Sequence, residues 1–111
     1  MIICEVDAWV SSMEKEGIED LLRLTEEELA ALDGELIGAE VGMGHGRLVA
    51  YVRAESELVV NSIFEVCGFT IERVAYLGPS PETHIDFNRL ASQGTWRYRP
   101  ASPARLQAAA S

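Results

Sequence analysis

Two histidines, two cysteines and one glycine-rich knot are the features of this chain whose residue types could do chemistry: His45, His84, Cys4, Cys67 and the stretch "VGMGHGRLVAYV" at 41–52. In the knot, Gly42-Met43-Gly44-His45-Gly46 stands between two apolar runs. A nucleotide-phosphate loop needs a strand before it, a helix after it and a lysine. Here alternating runs lie on both sides, so the knot reads as a hairpin tip. If it makes a contact, His45 is the contact residue and Arg47 supplies positive charge.

The remaining candidates carry less. His84-Ile85-Asp86 falls in the first turns of an expected helix, where residues two apart do not face each other. Asp86 there suits the positive end of the helix dipole. His45, His84, Asp86 and Glu5 show no ligand spacing, so no metal is expected. Cys4 and Cys67 form no CxxC pair and read as buried small hydrophobes, and a reducing compartment argues against a disulfide between them. Cys67 closes an expected helix, where the dipole disfavours a thiolate nucleophile. No serine sits in a nucleophile motif. Chemistry that needs only binding and one proton transfer, of the isomerase or cyclase kind with His45 or His84 as proton carrier and no cofactor, stays open as an alternative.

"TWRYRP" at 95–100 alternates aromatic and basic residues, Trp96, Arg97, Tyr98 and Arg99. Such a run could stack on bases and bind phosphates. A net charge of −9 opposes nucleic acid, and aromatics with arginines are equally the composition of protein contact sites. A protein partner or a second copy is therefore the expected partner.

The charge is unevenly placed. Residues 1–40 hold twelve acids against Lys15 and Arg23, whereas residues 41–111 hold six acids against seven arginines. If Glu14, Glu16, Glu19, Asp20, Glu26 and Glu27 share one exposed face, the chain could act as an acidic inhibitor that blocks a basic, nucleic-acid-binding site on its target.

The elements that must position these residues follow from periodicity. Residues 2–10 fit both an alternating strand and a helical stripe, and the isoleucines, valine and tryptophan favour strand. Ser11 with Glu14 reads as a capping box opening a helix, Gly17 as an interruption, Thr25 with Glu28 as a second start, and Gly34 as the stop. "ELIGAEV" and "RLVAYVRA" alternate and suit a hairpin. Ser56 caps a helix whose apolar face is Leu58, Val59, Ser62, Ile63, Val66 and Cys67, ending at Gly68. "TIERVAYLG" is a strand, Ser80-Pro81-Glu82 opens a last helix, "TWRY" is a possible short strand, and "ASPARLQAAAS" is a mobile tail.

That order predicts an α+β ferredoxin-like sandwich, with helices on one face of an antiparallel sheet, an extra N-terminal helical segment and a C-terminal helix. Residues 1–99 form the single domain and 100–111 the tail. At 111 residues with 48% apolar content the chain can bury one modest core without staples. No apolar run is long enough to cross a membrane, and Glu5 and Asp7 fall where a secretory signal needs an uncharged stretch, so a cytoplasmic protein is expected. The sheet face away from the helices, carrying Trp9 and Tyr51, is expected to be covered by a second copy. The resulting functional expectation is a small acidic binding or regulatory module, non-enzymatic, acting as a homodimer.

Overall fold

The computed structural model describes residues 1–10, 14–42, 46–80, 83, 85 and 95–100. Among these the elements run β1 (Ile2–Trp9), α1 (Lys15–Ala30), β2 (Glu35–Gly42), β3 (Arg47–Ala54), α2 (Glu57–Val66), β4 (Thr70–Pro79) and β5 (Thr95–Tyr98). All strand pairs are antiparallel, and the sheet order is β4-β1-β3-β2-β5. The fold is of the α+β class.

Of the two periodicities in residues 2–10, the alternating one prevails. Cys4, Val6 and Ala8 enter a cluster with Leu48, Ala50, Val52 and Ala54 of β3, with Ile18, Leu22 and Leu29 of α1, and with Val60, Ile63 and Phe64 of α2. Strand alternation then sends Ile3, Glu5, Asp7 and Trp9 to the opposite face, beside Arg47, Val49, Tyr51 and Arg53 of β3. Ser56 caps α2 as its position implies, its Oγ accepting from the Val59 N–H at 3.3 Å. The buried face of α2 is Val60, Ile63, Phe64 and Cys67, while Leu58 and Val66, expected on it, are exposed. The helix axis is rotated so that the bulkiest side chain, Phe64, reaches the core and the Phe69 ring 5.4 Å away.

The expected break in the N-terminal helical region does not occur. α1 is one helix of 16 residues through Gly17 and Thr25, with Glu14 at its N-cap. Gly17 lies in the first helical turn, where its entropic cost is smallest to the whole. Thr25 caps nothing: it is fully buried, and its hydroxyl donates to the Leu21 carbonyl one turn back at 2.8 Å. A polar side chain satisfied inside its own helix lets the stripe Ile18, Leu22, Thr25, Leu29 continue onto the sheet.

The hairpin between β2 and β3 closes with Gly46 at φ 73°, a left-handed conformation in which a side chain is strained. A Cβ there would also meet the Val10 carbonyl oxygen at 2.6 Å. Gly46 is thus a backbone requirement of the turn, and its carbonyl accepts from Val10 N–H at 2.9 Å. Ser11, Met43, Gly44 and His45 lie outside the described residues, as do His84, Asp86, most of the expected last helix and the tail from 101. No helix among the described residues is long and apolar enough to cross a membrane.

Candidate functional site

The sheet face away from α1 and α2 carries an ordered row of charges that no short motif announces. Reading across the five strands, Arg73 of β4 pairs with Asp7 of β1, Asp7 with Val49 of β3, Val49 with Glu40 of β2, and Glu40 with Arg97 of β5. Glu5 stands two residues along β1 on the same face, opposite Tyr51. The row is cation, acid, valine, acid, cation. The strand register alone creates it.

Its electrostatics follow from burial. Glu5, Asp7 and Glu40 are 3%, 4% and 3% exposed, and buried carboxylates are costly unless a cation or donors answer them. The Arg73 guanidinium folds inward from the edge, placing NH2 3.1 Å from Asp7 Oδ2 and 3.3 Å from Glu5 Oε2. From the other side, Arg97 NH2 stands 3.6 Å from Glu40 Oε2, an ion pair too long for a good hydrogen bond. Both arginines keep about half of their side chains in solvent while the acids beneath are covered. Two oxygens remain without a hydrogen-bond partner among the described residues, Asp7 Oδ1 and Glu40 Oε1.

The anticipated contact residues divide between the two faces. The alternation in "TWRY" is a strand alternation: Trp96 packs against the core and Tyr98 is buried in it, while Arg97 turns to the acidic row and Arg99 is exposed. Lys15 Nζ lies 5.2 Å from the Trp96 ring centroid, and the Trp96 and Tyr98 rings meet edge to face. These aromatic faces are committed inside the molecule. Tyr51, expected on an open face, is 2% exposed within a single chain, whereas Trp9 is 39% exposed and its Nε1–H donates to Glu72 at 2.8 Å. Arg47 is half-buried on the same face as Tyr51.

The expected acidic face needs one correction. Glu26 is 5% exposed and accepts a 2.7 Å hydrogen bond from the Tyr98 hydroxyl, because its position borders the buried stripe of α1. Glu19 and Asp20 stay at the surface but flank Arg23, whose guanidinium lies 3.7 Å and 3.1 Å from their carboxylates. Glu14, Glu16 and Glu27 are exposed. The face is smaller and partly neutralised by Arg23.

The thiols are poor nucleophiles by position. Both are free and buried, and burial pushes the Cys4 thiol up to about 11, with the Glu57 carboxylate adding to the shift. Iodoacetamide at pH 8 should therefore leave Cys4 unmodified in the folded protein and label it fully in denaturant. Peptide mass spectrometry reads this directly, and labelling of folded Cys4 at the rate of a free thiol would contradict its burial. No group of three or more His, Cys, Asp or Glu among the described residues could hold a metal ion.

Comparison with known proteins finds no match: no family model, no curated protein and no solved structure aligns with this chain. Glu5, Asp7 and Glu40 were visible in the sequence as charges inside alternating apolar strands. What the sequence lacked was the register that sets Asp7 and Glu40 on either side of Val49.

Proposed function

We propose that this protein is a binding or regulatory module of ferredoxin-like architecture that acts through protein contact, as a homodimer and without catalysis, in the cytoplasm. The architecture rests on the order β1-α1-β2-β3-α2-β4 with its strands arranged β4-β1-β3-β2, the split βαβ pattern, to which β5 adds a strand beside β2. Two buried free thiols fit a reducing compartment.

The observation that carries the contact is β4. It is a ten-residue edge strand whose outer side has no strand partner among the described residues, and it presents Tyr76 at 53% and Leu77 at 39% exposure. Trp9 stands beside Thr70 at its start, on the sheet face opposite to that of Tyr76, which pairs with Cys4. Tyr51 is already buried, so the dimer contact moves from the middle of the sheet to this edge. Register shifts between Ile3 and Cys4 and between Asp7 and Ala8 leave Leu77 and Glu72 as extra residues on β4. Such bulges interrupt a long strand ladder between copies, so side chains carry the contact.

Sedimentation velocity tests this reading. The wild-type chain should run as a dimer at micromolar concentration, and the Tyr76→Lys, Leu77→Lys double variant as a folded monomer with an unchanged circular dichroism spectrum. A wild-type monomer, or a double variant that still dimerises, overturns it.

A further inference from the structure

The rotation of α2 that buries Phe64 leaves large apolar side chains in water. Leu58 is 74% and Val66 82% exposed, and on the neighbouring helix Leu24 and, in the turn just after it, Leu32 are 42% and 52% exposed. These side chains belong to one surface. The flank of α1 that carries Lys15 and Glu26 is turned to β5, where Lys15 lies over the Trp96 ring and Glu26 accepts from Tyr98. Leu21, Leu24 and Glu28, spaced three and seven residues apart, share the opposite flank and so face α2. Leu21 Cδ2 accordingly lies 3.9 Å from where a Cβ on Gly68, just past α2, would stand. On α2, Val59 and Val66 are seven residues apart and form the stripe between its buried face and the outward Leu58, the flank that a right-handed β3-α2-β4 crossover turns toward α1.

The charge beside this strip has one sign. Glu27 and Glu28 of α1 and Glu65 of α2 are exposed. Helix α2 contains no basic residue, and the two of α1 are engaged elsewhere, Lys15 over Trp96 and Arg23 between Glu19 and Asp20. From this geometry we infer that the groove between α1 and α2 is a docking site for an amphipathic helix of a partner protein, with apolar side chains seated between Leu24 and Val66 and lysine or arginine along its flanks. A groove between two helices takes a third by interleaving ridges of side chains. From Leu21 to Leu32 the chain rises about 16 Å, the length of about three helical turns. An apolar strip bordered by acids complements a helix that carries cations. A second copy docking through the same surface would set acid against acid, so this partner is not another copy of the chain. The groove is separate from the β4 contact, and each can fail without the other.

The probe is a synthetic helix of about four turns with leucines along one side and lysines along the other, titrated into the full chain. Fluorescence anisotropy reads its affinity, and NMR of the Leu24, Val66 and Leu77 methyls reads its location. Wild type should bind saturably, with shifts at Leu24 and Val66 and with affinity falling as salt is raised. The double variant Leu24→Gln, Val66→Gln changes only exposed side chains, so its circular dichroism spectrum should be unchanged while affinity falls about tenfold or more. Absence of saturable binding, undiminished binding by that variant, or shifts confined to Leu77 on the β4 edge overturns the inference. Equal binding of a peptide with serine in place of every leucine, or with glutamate in place of every lysine, overturns it as well, because apolar contact and charge are both required.

Discussion

An Arg73→Ala protein is expected to lose about 2–4 kcal/mol of folding stability, an unusually large effect for a side chain that is half in solvent. The reason lies beneath it. Glu5 and Asp7 have side chains only 4% and 6% exposed, and one guanidinium answers both at 3.3 Å and 3.1 Å. Removing it withdraws one cation from two covered carboxylates, and breaking a buried pair from one side costs about 3–5 kcal/mol. The half exposure of Arg73 admits water and lowers that figure. Urea unfolding of Arg73→Ala measures the loss. The double variant Arg73→Ala, Asp7→Asn separates charge from packing: it should recover about 1 kcal/mol or more, because the covered charge of Asp7 is gone. A loss below about 0.5 kcal/mol in the single variant would mean that the carboxylates find water without Arg73.

The second large effect is at the other face of β5. Tyr98 is 5% exposed, and its hydroxyl donates to the Glu26 carboxylate at 2.7 Å, tying the last described strand to α1. Tyr98→Phe removes a donor from a buried acid and should cost about 1–3 kcal/mol. The same pair sets a pH limit. Burial first, then the hydrogen bond and charge of Glu26, push the Tyr98 phenol well above its ordinary value of 10.0. The folded state therefore holds this proton where the unfolded state releases it. Its contribution is fully present below about pH 10 and falls as pH rises beyond that, by up to about 1.4 kcal/mol per pH unit. In Tyr98→Phe that component of the alkaline decline should vanish. An identical alkaline decline in wild type and variant would show that the phenol titrates freely.

How far the sequence determined this protein can be judged element by element. Alternation in 35–42 and 47–54, the cap at Ser56 and the stop at Gly68 are local signals, and each produced the expected element because backbone geometry and side-chain period agreed there. The element order is compatible with the arrangement β4-β1-β3-β2 but does not place β5, which pairs with β2. Gly17 and Thr25 misled because propensity is weak beside the burial of a whole helix face, and Thr25 satisfies its hydroxyl within α1. Composition could not say which of six neighbouring acids would turn inward; the phase of the Ile18, Leu22, Thr25, Leu29 stripe put Glu26 at its margin. The charge row was beyond reach of any local reading. Asp7, Glu40, Val49, Arg73 and Arg97 come from five strands, and a one-residue slip of any strand would send its member to the other face. Local periodicity specifies which side chains share a face of one strand, whereas only the packing of the helices on the opposite face fixes the registers that bring those five together.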